Sequence, residues 1–306
     1  MKLKLVAASV AIALSLAGCN STTSSNSAQA ETSVKAENKV FAQDYVLEEL
    51  DNGLRVMVVK TDYPDVVSLQ IPVSVGSRNE VEAGKTGFAH FFEHMMFKGS
   101  EKFPQDVYSD ILKNSGVDNR AYTTNDYTNY HLNFSKQHLE TVLEIKGDIF
   151  QNLKYTESQF RTEALTVKGE YLKNNANPIR QLLSAVRNEA FEKHTYKHTT
   201  MGFFEDIEKM PDQMAYGEEF FKKFYKPEYV SLIITGDVDP NDTIELVKKH
   251  WGNWQRGDYV ADIPVEPKQT AAKYLHKQSE GLPGHWLLVS YKGPAWQPTE
   301  KDRAAV

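Results

Sequence analysis

Apolar and polar positions alternate with a period of two from Val46 to Lys60, interrupted by Asp51-Asn52-Gly53. Two half-buried strands joined by a tight turn carry this signature, so a β-hairpin is predicted here. Val66–Val75 (VVSLQIPVSV) predicts a further strand ending at Gly76. The spacing then lengthens to that of a helix from about Thr86 to Phe97, and again from about Gln105 to Asn114. Asn119–Thr123 and Thr128–Phe134, rich in Tyr and Thr, return to strand. Helical stretches occupy Lys136 to about Lys223. In the best marked of them, Thr156 and Gln159 form a capping box, and Phe160, Ala164, Val167 and Tyr171 make an apolar stripe. Asn177-Pro178 ends that helix. Tyr229–Thr235 predicts a buried strand, and Pro240–His250 a helix after Gly236-Asp237. Runs of strands, then helices, then one strand and helix predict an α+β fold rather than a doubly wound sheet. Beyond a Pro-, Lys- and Asp-rich linker at Asp258–Lys273, a strand is expected at Trp286–Tyr291 and a helix from Thr299. That last helix runs into the chain end, and a longer natural protein is expected.

Composition narrows the function classes. The 306 residues carry a formal charge of −6 and a pI near 5.9, which argues against a nucleic-acid partner. One cysteine excludes an intrachain disulfide framework and a cysteine-rich zinc site. That residue, Cys19, closes a segment with Lys2 and Lys4 followed by a 13-residue apolar run, Leu5–Ala17, too short to span a bilayer. The segment resembles a bacterial lipoprotein signal. Residues 1–18 would be removed and Cys19 lipidated, giving a mature charge of −8. Asn20 after the cysteine implies outer-membrane sorting, facing the periplasm. An ordinary secretory peptide with an incidental cysteine is the competing reading. Residues 19–40 have almost no large apolar side chain and are expected to form a flexible tether.

His90-Phe91-Phe92-Glu93-His94 carries the main chemical signal. On a helix, positions i and i+4 share a face, so both histidines can reach one metal while Glu93 bonds a nearby water. Phe88, Phe91, Met95 and Phe97 mark the helix as mostly buried, where ionisable groups need partners. A third protein ligand is required for a catalytic zinc. Glu163 and Glu170 on the capped helix are candidates, seven residues apart and expected to point inward with the apolar stripe. The bland alternative for each is a buried ion pair to an arginine such as Arg161. Gly169 in the same helix is expected to mark a close approach by another element. The second histidine pair, His194 and His198, lies in a loop-like Thr-Tyr context and is not expected to bind metal.

Taken together, these residues resemble the pitrilysin/insulinase family of zinc metallopeptidases. That family's inverted motif is followed about 76 residues later by a ligand glutamate, the separation of Glu170 from His94. Flanking stretches also match: Gly87-Phe88-Ala89, Met96-Phe97-Lys98-Gly99-Ser100, Tyr122-Thr123 through Thr128-Asn129-Tyr130, and Tyr225-Lys226-Pro227-Glu228 through Gly236-Asp237. The resemblance spans about Val46 to Trp254. It implies a mostly antiparallel sheet with helices packed on it, like that of mitochondrial processing peptidase. It also implies one Zn2+ held by His90, His94 and Glu170, with Glu93 as the base toward water and Glu163 steering a ligand histidine. Peptides or unfolded polypeptides would add as a strand beside Arg120-Ala121-Tyr122, where Arg120 replaces the family's usual Asn. The family builds its chamber from two homologous halves. Residues 41–262 are therefore expected to be the catalytic domain, and 263–306 a linker with the start of a second, similar domain. The second half would come from the same longer chain or a partner subunit. The reading from a different function class is a non-catalytic, zinc-binding or chaperone-like subunit of such an assembly.

Overall fold

Residues 43–278 and 284–293 are described by the structure, a computed structural model. Strand β1 (Val46–Glu49) and β2 (Arg55–Lys60) form the expected hairpin, with Glu49 opposite Arg55. Gly53 takes the turn at φ +84°, and the Asn52 side chain donates to the carbonyl of Trp251 at 2.9 Å, tying the hairpin to a distant helix. β3 (Val66–Val73), β4 (Asp118–Thr123), β5 (Thr128–Ser135) and β6 (Ser231–Gly236) complete a sheet of order β1-β2-β6-β3-β5-β4. Every pairing is antiparallel except β2 with β6. Alternation decides the buried face: Val56, Val58, Val67, Leu69, Ile71, Leu232 and Ile234 point into the core. β4 lies at the sheet edge, which leaves one side of its backbone unpaired among the described residues.

The helices are α1 (Phe88–Met95), α2 (Gln105–Asn114), α3 (Leu139–Asn152), α4 (Glu157–Asn175), α5 (Pro178–Ala190), α6 (Phe204–Lys209), α7 (Met214–Phe224) and α8 (Pro240–Trp251). α1 is wedged into the core by aromatics. Phe91 meets Phe160 of α4 at 4.7 Å between ring centroids, and Phe92 stacks on Phe220 of α7 at 5.3 Å. Such pairs add about 0.5–1.5 kcal/mol each beyond area burial. The capping box at α4 is formed, with Thr156 N donating to Gln159 Oε1 at 2.8 Å and Gln159 N to Thr156 Oγ1 at 3.2 Å. Asn177 both follows α4 and caps α5, its Oδ1 accepting Ile179 N at 2.9 Å. The break expected there is thus also a helix start, with Pro178 at the first helical position.

Trp286–Tyr291, expected as a strand, forms none. Trp286, Leu287, Val289 and Tyr291 are exposed, and no neighbouring strand offers them a hydrogen-bonding edge among the described residues. The linker from Asp258 has no regular structure, but Glu266 docks it. Its carboxylate accepts the N–H groups of Glu192, Lys193 and His194 at the end of α5. The signal-like segment, Cys19, the tether and the helix from Thr299 lie outside the described residues. Within the described residues, no helix is long and apolar enough to cross a membrane.

Candidate metal centre

The N-terminus of α1 is held by a buried acid. Glu80 accepts the N–H groups of Gly87 and Ala89, each at 2.8 Å, satisfying donors that a helix start leaves unpaired. Burial pushes its carboxyl up to about 8, against the pull of those two donors. Thr86 adds a second tie, donating its hydroxyl to Asp206 at 2.6 Å and accepting Phe203 N at 2.8 Å. The helix that carries the motif is therefore positioned by polar contacts as well as by its phenylalanines.

One turn apart on α1, His90 and His94 bring their Nε2 atoms to 3.2 Å. Glu170 reaches in from α4, its Oε2 at 3.6 Å from both. Two ligands each 2.0–2.1 Å from a tetrahedral zinc are about 3.3 Å apart, so these spacings fit the ion. No other cluster of three or more potential ligands meets that spacing among the described residues. Glu163 accepts from His94 Nδ1 at 2.8 Å, which puts the proton on that nitrogen and leaves the Nε2 lone pair facing His90 and Glu170. Glu163 also pairs with Lys98 at 2.6 Å. The hydrogen bond from His94 is the main reason that Glu163 is held down at about 2. Burial disfavours a charged His94, yet Glu163 outweighs it and raises His94 above its ordinary value. Burial, reinforced by His94, drops His90 to about 4, so His90 is neutral at neutral pH and able to donate a lone pair. Its Nδ1 has no protein partner among the described residues, so its tautomer can follow whatever Nε2 binds.

Glu93 sits on the same helix with its Oε2 accepting the Thr123 hydroxyl at 2.6 Å. Burial raises its carboxyl, the direction that suits a proton acceptor working near neutrality. Thr123 ends β4, so the edge strand and the acid are in contact. On that strand Arg120 and Tyr122 are exposed and Ala121 half-buried, and Arg120 Nε donates to Asp118 at 3.0 Å.

Two expectations need correction, and one alternative falls away. Glu163 is buried as expected, but Glu170 is not: its side chain is 38% exposed, because it reaches the open rim of the site while Glu163 lies under α1. The alternative ion pair to Arg161 does not form: Arg161 pairs with Glu157 and Asp212 on the solvent side of α4, and the cation beside Glu163 is Lys98. Gly169 marks no close approach, since a Cβ there would meet nothing within 4 Å. Sequence reasoning also missed Lys98, Thr123 and Glu80 as partners of the site. Lys98, four residues after His94 and just past the end of α1, and Glu80, seven residues before Gly87, were within reach of a local reading; Thr123 depends on a chain crossing. His194 lies in a short turn, its Nδ1 accepting Tyr196 N at 3.0 Å.

An inverted His-Glu-His motif on one helix, facing a glutamate from a second, is the side-chain set of the inverted-motif zinc peptidases. The family profile described as Insulinase (Peptidase family M16) matches residues 55–202, and that of the Peptidase M16 inactive domain matches residues 218–306. The chain belongs to this family, and His90, Glu93, His94, Glu163 and Glu170 all fall within the first span. The zinc protease PqqE of Helicobacter pylori is 31% identical over 263 residues, covering 84% of this chain and 58% of that protein. A crystal structure of a protease from Helicobacter pylori superposes with a TM-score of 0.70 at 31% identity, over 75% of this chain and 56% of that one. The first half of the periplasmic protease PqqL from Escherichia coli shares the fold, with a TM-score of 0.62 at 24% identity, over 72% of this chain and 50% of that one. This chain spans 58% of the length of the zinc protease PqqE, 53% and 52% of the human and bovine cytochrome b-c1 complex subunit 1, and 27% of human insulin-degrading enzyme. The α+β architecture is that of the family, and a second domain of the family begins within the chain.

Proposed function

We propose that this chain is the catalytic half of a zinc-dependent endopeptidase acting on peptides or unfolded polypeptides. The observation that carries the reading is the hydrogen bond from His94 Nδ1 to Glu163, which leaves Nε2 bare beside His90 and Glu170. Zinc held by His90, His94 and Glu170 supplies Lewis acidity toward a carbonyl and lowers the pKa of water toward about 7. Glu93 is the proton carrier. Thr123 holds its Oε2, and the carboxylate so fixed would take a proton from water and return it to the leaving amine. Glu163 keeps the His94 proton at Nδ1 throughout. The peptide adds to the free edge of β4 through main-chain groups of Arg120, Ala121 and Tyr122, a mode that tolerates Arg120 because side chains are not needed for the pairing.

The second homologous half completes the chamber, a reading supported by the match at residues 218–306 and by the relatives' greater length. The signal-like start supports a lipid anchor at Cys19 in a bacterial envelope, at the outer membrane facing the periplasm. Palmitate incorporation that is lost in Cys19→Ser checks the anchor.

Glu93→Gln tests the catalytic assignment. The variant should keep one zinc per catalytic domain and lose about 10²–10⁴-fold in peptide hydrolysis. Undiminished, chelator-sensitive hydrolysis by this variant would overturn the role of Glu93. Zinc binding without cleavage by the complete wild-type protein would favour a non-catalytic subunit.

A further inference from the structure

One turn beyond Glu170 on α4, the protein opens into a cavity of about 580 Å³ that the hydrolytic machinery does not use. Its wall includes Asn125, Tyr171, Asn174, Arg180, Ser184 and Arg187. One contact and one chain connection join it to the metal centre. Asn174 Nδ2 donates to Glu170 Oε1 at 3.4 Å, so the wall of the cavity touches a candidate metal ligand. Asn125 lies two residues beyond Thr123, so the cavity opens where the free edge of β4 ends. A peptide paired along that edge would carry one of its side chains past the opening.

The charge of the cavity is unlike that of the chain around it. Asp and Glu outnumber Lys and Arg by 41 to 35, and most cations near α4 are engaged, Lys98 by Glu163, Arg161 by Glu157 and Asp212, and Lys168 by Glu208. Arg180, Ser184 and Arg187 fall at i, i+4 and i+7 on α5 and share one face. Neither arginine has a carboxylate partner among the described residues. Arg187 is half-buried and oriented by neutral acceptors, its Nη1 donating to Asn125 Oδ1 at 3.1 Å and to the His198 carbonyl at 3.3 Å. Those two bonds leave most of its five N–H donors uncommitted. Arg180 makes no side-chain hydrogen bond or ion pair with the described residues. The neighbouring acid, Asp126, is already taken by Arg78 at 3.3 Å and by the Tyr196 hydroxyl at 2.6 Å. A guanidinium held in place with free donors matches the planar, two-oxygen geometry of a carboxylate.

We infer that this cavity is a specificity subsite for an acidic side chain of the substrate, a Glu or Asp a few residues from the cleaved bond. Arg187 is the oriented donor and Arg180 the exposed second charge. The inference rests on the reading of the neighbouring centre as a peptidase.

The test uses the natural full-length protein and one uncharged, unfolded peptide bearing a neutral fluorophore. Single Glu, Gln or Lys residues are walked through its positions. Binding is read by anisotropy on zinc-loaded Glu93→Gln, and kcat/KM on the wild type. At one position Glu should bind about tenfold more tightly than Gln, with a matching gain in kcat/KM. Arg180→Gln and Arg187→Gln should each reduce that preference, and Arg180→Glu should shift it toward Lys. Because Arg187 also braces Asn125, the exposed Arg180 variants are the decisive ones if Arg187→Gln folds poorly. Equal binding of Glu and Gln at every position, or a Glu preference that survives the Arg180 and Arg187 substitutions, overturns the subsite. Hydrolysis of every peptide alike would leave the peptidase reading standing and remove the subsite. Arginine-dependent binding of the Glu peptide with no hydrolysis would do the reverse.

Discussion

Thr123 donates its hydroxyl to Oε2 of Glu93 across 2.6 Å, joining the last residue of the edge strand to the acid of the inverted motif. The strand on which a peptide would pair and the group that would move its protons are thereby set in one frame. Thr123→Val keeps the β-branched shape suited to a strand and removes the donor. We expect zinc content to be unchanged and kcat to fall about 10–100-fold, with a much smaller change in KM, since a carboxylate free to swing loses its alignment. Steady-state kinetics that moved KM alone would contradict this coupling.

Glu163 serves two donors at once, His94 Nδ1 and the Lys98 ammonium. Glu163→Gln keeps an acceptor for His94 Nδ1 but removes the charge, and it leaves a largely buried ammonium without a counter-ion. Loss of such a ligand-orienting partner typically weakens metal affinity about 10–100-fold. Competition titration against a zinc indicator measures this, and an affinity equal to that of the wild type would show that the charge of Glu163 does not support the histidine.

Gly87 and Gly84 both adopt positive φ, +94° and +79°, yet only one is crowded. A Cβ at Gly87 would collide with Cδ1 of Ile207 and sit 3.2 Å from the Met201 carbonyl, whereas at Gly84 it would meet nothing within 4 Å. Gly84→Ala should cost about 1 kcal/mol from backbone strain, and Gly87→Ala about 2–4 kcal/mol, because α1 must shift as well. Urea midpoints at constant m would resolve the difference. Equal costs would mean that α1 yields freely at its start.

Lys146 of α3 is almost fully buried, its Nζ donating to the Tyr108 hydroxyl at 2.7 Å. Burial depresses its pKa from 10.5 to about 7. Between those values the unfolded chain holds a proton that the folded chain has lost, so unfolding takes up a proton. Stability from this group therefore rises with pH from about 7 to 10.5, and its penalty is greatest below pH 7. Lys146→Met removes the penalty and leaves Tyr108 its bond from Asn119. The variant should be more stable than the wild type by about 1–4 kcal/mol at pH 6, with the gap closing toward pH 10. Denaturation at the two pH values checks both the sign and the window.

Local pattern made much of this fold legible. The Asp51-Asn52-Gly53 turn, the Thr156–Gln159 box and the Asn177-Pro178 boundary each depend on residues within a few positions of one another, so their physics is written in short windows. The candidate metal ligands were legible for the same reason. His90 and His94 lie one helical turn apart with Glu93 between them, and Glu170 shares a helix with the capped stripe. Trp286–Tyr291 shows the opposite case, since an apolar, β-prone run becomes a strand only where another strand offers it an edge.

Which acid does what was a matter of the folded chain. Glu163 and Glu170 are equivalent in a helical projection, yet one lies beneath α1 bonded to His94 and Lys98 while the other reaches the rim. Thr123 and the arginines of α5 arrive from segments far along the chain, through crossings that no short window encodes. Side-chain period and capping are local energies, and they settle which residues are helix or strand and which pairs share a face. Partner choice for a buried charge depends on the desolvation it suffers and on the dipoles and counter-charges that meet it, and both exist only once the helices are packed on the sheet.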